Sequence, residues 1–85
     1  MTKIEHIKKK GEILIDFPRK DGWCHLVAEN IPLLHEFAKQ IGLKRHWFQN
    51  KRGKNRPHYD VKGITIKRAI ENGAKQVSSK DIVKF

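Results

Sequence analysis

The sequence predicts a small α/β (α+β) domain: a single-layer sheet of about three strands, two main helices and a short C-terminal helix, in the order β-β-α-α-β-α. Three observations predict this fold. Two short runs typical of strands come first, of which Glu12–Asp16 is rich in β-branched residues, and two segments with helical spacing of apolar residues follow. The chain has 85 residues, of which 38% are hydrophobic, which is enough for one small core.

The first two elements are predicted strands. Residues Glu12–Asp16 are rich in β-branched side chains and end at an acid, and turn-forming residues follow at 18–22. Residues Trp23–Ala28 are the second predicted strand. Because successive side chains of a strand point to opposite faces, we expect Trp23 and His25 to share one face.

Both main helices are predicted from capping residues and spacing. Asn30 is a good N-cap, Pro32 falls in the first turn, where its missing N–H costs nothing, and Gly42 suits the position after the last turn. Between them, apolar residues recur at i, i+3, i+4 and i+7, namely Leu34, Phe37, Ala38 and Ile41. The second helix repeats this spacing over residues 66–73.

The remaining elements give weaker signals. His58–Val61 is expected to form either a brief strand or an ordered turn, and Ala74–Val77 is the third predicted strand. Ser78 or Ser79 is then expected to cap a last helical turn that runs to Phe85.

The chain is expected to form one domain. A basic N-terminal arm is predicted for residues 1–11, and a single α/β domain for residues 12–85. Within that domain, a Gly-, Asn- and Lys-rich segment predicts a basic loop at 50–57.

The charge balance indicates an anionic partner. The chain has 19 Lys and Arg against 9 Asp and Glu, which gives a net charge of +10. Such a charge favours polyanions and predicts nucleic-acid binding that weakens as salt is added. An acidic protein partner, or a charge with no specific target, is the alternative.

Cysteine usage and hydropathy bear on location. Cys24 is the only cysteine, so no disulfide forms within the chain, and a reducing cytoplasm fits. The first ten residues lack the apolar run of a signal peptide, and no window of about 18 apolar residues exists to span a membrane. We expect a cytoplasmic protein without membrane contact.

The chain is also consistent with a homodimer, because dimerisation is one way to enlarge so small a core.

Residues 44–60 combine basic and aromatic side chains as phosphate-binding sites do. Flat rings stack on bases, and arginine forks bind phosphate. We expect Trp47 to stack on a ligand and Phe48 to turn inward. The other expected ligand-binding residues are Arg45, Gln49, Arg52, Lys54, Arg56, His58 and Tyr59, with Arg68 from the second helix and Asp16 from the end of the first strand.

Three histidines and one acid are candidates for acid–base catalysis. Histidine titrates near neutral pH, and Asp60 is suited to orient His58, with His25 or His35 as its partner. Both partners are equally well explained as structural residues that bond backbone groups. No metal site and no cofactor are expected, because the spacing is diffuse and His58 and Asp60 share a strand face only if that segment is extended.

A series of short motifs connects the chain to known proteins. In order, the sequence contains W-C-H-L at 23–26, L-H-E-F-A at 34–38, W-F-Q at 47–49, H-Y-D at 58–60 and G-A at 73–74. Together these motifs resemble a small family of uncharacterised bacterial and phage proteins, filed as a domain of unknown function. The resemblance covers roughly residues 12–82.

The resemblance implies a small α/β domain and brings no activity. It implies one recurrent set of residues, namely Asp16, His25, His35, Gln49, His58, Asp60 and Arg68. The family's early strand usually ends in two acids, whereas Phe17 follows Asp16 here. The loop before His58 is longer and more basic here, with residues 51–56 inserted, which indicates a more negative ligand.

Three functions are consistent with these observations. The first is a binding module for a phosphate-bearing ligand, either nucleic acid or a nucleotide. The second is a small phosphodiesterase or nuclease-type enzyme that uses His58 and Asp60 with His25 or His35. The third is a phage-type inhibitor that covers an acidic protein surface.

Overall fold

The computed structural model describes residues 11–50 and 57–84. The strands are β1 Ile13–Ile15, β2 Trp23–Ala28, β3 Phe48–Gln49, β4 His58–Lys62 and β5 Lys75–Gln76. The helices are α1 Ile31–Gln40, α2 Ile64–Glu71 and α3 Ser79–Lys84, and a 3-10 turn, Arg45–Trp47, precedes β3. None of the helices in these two ranges is long and apolar enough to cross a membrane.

The sheet is mixed and has five strands in the order β3-β4-β2-β1-β5. Neighbouring strands pair antiparallel, except that β1 and β5 pair parallel. The α+β class is confirmed, but the expectation of about three strands was wrong, and β3 and β4 come between the two main helices. A two-residue strand such as β3 is too short to show periodicity. His58–Val61, expected to form either a brief strand or an ordered turn, belongs to strand β4.

The predicted capping of α1 is confirmed by its hydrogen bonds. Asn30 Oδ1 accepts the N–H of Leu33 at 2.9 Å. At the other end, Gly42 has φ +91°, a backbone conformation that other residues rarely adopt. The N–H of Leu43 then returns to the carbonyl of Ala38 at 2.9 Å, which closes the last turn.

One face of the sheet, here called the core face, carries the main core. The register pairs Cys24 with Val61 and Leu26 with Tyr59, and all four side chains are buried there. This face is covered by Leu34, Phe37 and Ala38 of α1, by Ile41 directly after that helix, and by Ala69 of α2. The predicted apolar face of α1 is therefore confirmed.

The opposite face, here called the second face, has an apolar part and a polar part. Leu14 of β1, Val27 of β2 and Ile82 of α3 form a small cluster, so α3 packs over the β1 side. Toward the β3 edge, the same face presents His25 and Asp60, which are register partners. The alternation predicted for Trp23–Ala28 is thus confirmed, since His25 lies on the face opposite its two buried neighbours.

Candidate functional site

The second face carries a line of polar side chains across four strands. Gln49 of β3 pairs with His58 of β4, and Asp60 of β4 pairs with His25 of β2. Asp16 directly follows β1, and its N–H donates to the carbonyl of His25 at 3.2 Å. These positions alternate with core positions, so the five side chains share one face. We call them the polar row.

Asp16 is fully buried and orients His25. Asp16 Oδ1 accepts the backbone N–H of His25 at 2.7 Å, and Oδ2 lies 2.8 Å from His25 Nδ1. Since an ionised carboxylate only accepts, Nδ1 carries the proton, and Nε2 keeps the lone pair of the neutral ring. The Ser79 hydroxyl also donates to Oδ2, at 3.3 Å, so α3 helps to hold the carboxylate.

The two oxygens of Asp60 have different surroundings. Gln49 Nε2 donates to Oδ2 at 2.7 Å. Oδ1 lies 3.4 Å from His58 Nε2, within ion-pair distance. This buried oxygen nevertheless accepts no hydrogen bond from the residues in 11–50 and 57–84, because distance alone does not give the required alignment.

His25, His58 and Asp60 converge at the centre of the polar row. The two imidazole rings meet edge-on, with centroids 5.1 Å apart and planes at 73°. One ligand-type atom from each of the three residues lies within 4.8 Å of the others. The side chains of His25 and Asp60 are each 27% exposed, whereas His58 and Asp60 Oδ1 are buried, so this centre lies just below the surface.

A groove of about 790 Å³ opens at the end of the sheet where β2 begins and β4 ends. We call it the tryptophan groove; among the residues that line it are Arg19, Trp23, Trp47, Gln49, Asp60 and Lys62. Trp47 is 42% exposed, whereas Phe48 is half-buried against the core cluster, and both agree with the prediction for this pair. Asp60 and Gln49 belong to both the groove and the polar row, so the two features are continuous.

His35 and Tyr59 lie on the core side of the sheet, away from the polar row. His35 Nδ1 lies 2.8 Å from the Tyr59 hydroxyl. Burial lowers the pKa of His35, and the nearby Arg45 cation lowers it further. Burial also raises the pKa of Tyr59, although Arg45 opposes this shift. Of the two partners predicted for His58, the structure therefore brings His25 beside it.

Of the predicted basic residues, Arg45 and Arg68 belong to the part of the chain that the structure describes. Arg45 is exposed, and its guanidinium lies 5.8 Å from the centre of the Phe48 ring. Arg68 is exposed on α2. Arg52, Lys54 and Arg56, with the rest of segment 51–56, lie outside the described residues, as do residues 1–10 of the predicted basic arm.

Cys24 is packed in the core and has no exposed surface. Burial, and after it the negative charge of Asp16, raise the pKa of its thiol to about 11, although the Arg19 cation opposes the shift. A buried, protonated thiol is a poor nucleophile.

Sequence reasoning missed several contributors to the site. Arg19 and Lys62 line the tryptophan groove beside Trp23, and Ser79 bonds Asp16. Alternation along a strand could have placed Lys62 on the same face as Asp60, two residues earlier. No local sequence pattern predicts the hydrogen bond between Ser79 and Asp16, because the two residues are 63 positions apart.

Comparison with known proteins identifies a family. Over residues 13–85 the chain matches the model of a protein family described as a protein of unknown function, DUF4031. No curated protein and no solved structure shows significant similarity to the chain.

Proposed function

We propose that this chain, which belongs to the DUF4031 family of proteins of unknown function, binds a phosphate-bearing ligand, either single-stranded nucleic acid or a nucleotide, in the tryptophan groove. The observation that carries the proposal is that Trp23 and Trp47, the only two tryptophans of the chain, both line this groove. Their side chains are 37% and 42% exposed. Large exposed rings in a concave site are suited to stack on bases.

Cations next to the rings support binding of an anionic ligand. The Lys62 ammonium lies 5.2 Å from the centre of the Trp23 ring, and Arg19 lines the same groove. A base stacked on Trp23 would therefore have a cation within reach of its phosphate. The groove volume of about 790 Å³ falls within the range of about 300–1,000 Å³ that is usual for small-ligand sites.

The local charges constrain the mode of binding. Arg19 and Lys62 are matched in the groove by Asp21 and Asp60, so stacking and polar contacts must supply most of the affinity. The net charge of +10 acts at longer range, where it attracts polyanions and raises their association rate. The contribution expected from Arg52, Lys54 and Arg56 stays a prediction.

The proposal is tested with a fluorescein-labelled single-stranded oligonucleotide of mixed sequence, titrated at low salt and followed by fluorescence anisotropy; calorimetry with ATP tests the mononucleotide. Trp47→Ala and Trp23→Ala should each weaken binding by about 1–3 kcal/mol, or roughly 5- to 150-fold. Lys62→Ala should reduce the slope of affinity against salt by about one ion.

Phe17→Ala is the matched control. Phe17 is an aromatic residue with 57% of its surface exposed, and it does not belong to the groove lining. Its loss should leave affinity unchanged. Absence of binding to both probes, or equal affinity of the wild type and the two tryptophan variants, would refute the proposal.

Hydrolysis of a phosphodiester is a second candidate, favoured by the convergence of His25, His58 and Asp60. In this mechanism water attacks phosphorus, the P–O bond to the leaving group breaks, and the leaving oxygen takes a proton. His58 would act as general acid or base with His25 as its partner. A His58→Ala protein that binds the oligonucleotide normally but has lost turnover supports this candidate, whereas a wild-type protein that cleaves neither probe excludes it for these substrates.

A further inference from the structure

We infer that His25, His58 and Asp60 form a binding site for a divalent transition-metal ion such as Zn²⁺. Two imidazole nitrogens and one carboxylate oxygen are ligands that this class of ion prefers. Three protein ligands leave a coordination position for water or substrate, which is the pattern of a catalytic rather than a structural zinc site. The residues lie on the adjacent strands β2 and β4, so hydrogen bonds of the sheet fix their spacing.

The distances suit such an ion. Ligands at about 2.0–2.1 Å from a tetrahedral ion lie about 3.3–3.4 Å from one another. His58 Nε2 and Asp60 Oδ1 already lie 3.4 Å apart, and the most distant ligand atoms of the three residues lie within 4.8 Å. Metal binding therefore requires side-chain movements of about an ångström, for which the partly exposed His25 and Asp60 have room.

A second, independent observation is the buried Asp60 Oδ1. This oxygen accepts no hydrogen bond in the part of the chain that the structure describes. A buried carboxylate oxygen without a donor is costly, because it has lost its water without gaining a replacement. A cation between the carboxylate and the imidazoles supplies the missing partner.

The surrounding hydrogen bonds are those that orient metal ligands. Asp16 Oδ2 lies 2.8 Å from His25 Nδ1, which leaves Nε2 of that ring to donate its lone pair. Gln49 holds the other oxygen of Asp60 at 2.7 Å. Carboxylate–histidine pairs of this kind raise the basicity of the imidazole and fix its tautomer.

The sequence argued against a metal site because the candidate ligands are widely spaced and because His58 and Asp60 share a face only in an extended segment. That segment is strand β4, so the condition is met. The wide spacing has a simple cause: His25 comes from the neighbouring strand, and its register partner is Asp60.

A metal bound by Asp60 would also change the charge that the tryptophan groove presents to its ligand; this consequence rests on the proposed function. Asp60 lines the tryptophan groove and would repel a phosphate, whereas a divalent cation on Asp60 would attract it. An imidazole that holds a metal through its lone pair cannot accept a proton there. Metal binding and a general-base role of His58 therefore exclude each other, and the metal dependence of any turnover distinguishes them.

The test is calorimetric titration of the metal-stripped full chain with ZnCl₂ alone. We expect one ion per chain, and a loss of affinity of more than about 10-fold in His25→Gln and in Asp60→Asn. Asp16→Asn keeps every ligand but should weaken binding about 10- to 100-fold through the orientation of His25. His35→Gln is the control, since it removes a histidine of the core face.

Folding of each variant is checked by its urea midpoint, and the wild type provides a readout that needs no variant. In NMR spectra, Zn²⁺ should shift the imidazole Cε1–H signals of His25 and His58 and leave that of His35 in place. Absence of one-to-one binding tighter than about 100 μM, or shifts at His35 in place of His25 and His58, would overturn the inference. Oligonucleotide binding without zinc binding would overturn it while leaving the proposed function intact.

Discussion

Replacing Asp16 by alanine should cost much of the stability of this fold. Asp16 is fully buried and accepts two short hydrogen bonds from His25, at 2.7 and 2.8 Å. Bonds to a charged group contribute about 1.5–3 kcal/mol each, or about 3–6 kcal/mol together. Removal of the buried charge also removes its desolvation cost, so we expect a net loss of about 2–4 kcal/mol. A domain of this length has about 4–13 kcal/mol in total.

Asp16→Asn separates shape from charge. The amide oxygen can still accept the backbone N–H of His25, but an NH₂ group now faces His25 Nδ1. The ring must then accept at Nδ1 and carry its proton on Nε2. We expect a smaller loss of about 1–2 kcal/mol, because one of the two bonds survives in full.

The assay is urea unfolding at 25 °C, followed by tryptophan fluorescence and circular dichroism. With an m-value of about 1 kcal/mol/M, the midpoint should fall by about 2–4 M in Asp16→Ala and by about 1–2 M in Asp16→Asn. Glu36→Gln, an exposed acid on α1, is the control and should stay within about 0.5 kcal/mol. If Asp16→Ala unfolds at the same urea concentration as this control, the assignment of Asp16 as a structural anchor is wrong.

Three further predictions concern the core. Tyr59→Phe should lower the free energy of unfolding by about 1 kcal/mol, since it removes the 2.8 Å hydrogen bond with His35; urea midpoints test this. The pKa of His35 is lowered, so below about pH 6.5 the unfolded chain binds more protons than the folded one, and the free energy of unfolding decreases as the pH is lowered. Between pH 7.5 and 5.5 the free energy of unfolding of His35→Gln should therefore change less than that of the wild type, and equal slopes would contradict this. Cys24 has no exposed surface. A thiol reagent at pH 8 should therefore modify it at least about 10³-fold more slowly in the native protein than in the urea-unfolded chain. Fast labelling of the native protein would contradict the burial of this thiol.

Local signals predicted the elements that local interactions determine. Helix α1 was predicted from Asn30, Pro32 and its apolar spacing, because capping and amphipathicity act within a few residues. Strand β2 was predicted as the largely apolar run Trp23–Ala28 that follows the turn-forming residues 18–22. By contrast, β3 depends on pairing of two residues with β4, and no local pattern marks so short a strand.

The candidate site was predicted in its members more than in its arrangement. His25, His58 and Asp60 were all candidates, but the sequence does not say that β2 and β4 are neighbours or that His25 and Asp60 are register partners. Strand order depends on packing of the whole chain, as the contact of Ser79 with Asp16 illustrates. For the same reason the sequence could not choose between His25 of β2 and His35 of α1, since each lies next to core positions in its own element.

The alternation of the polar row with the core also bears on how the strands find their alignment. A slip of one residue between β2 and β4 would turn every side chain of the slipped strand to the opposite face. His58 and Asp60, or His25, would then enter the apolar layer under α1, and each such group costs several kcal/mol when it is buried without partners. Residues suited to a ligand thus also penalise the wrong pairing, and apolar substitutions along the row would remove a safeguard of the fold as well as a site.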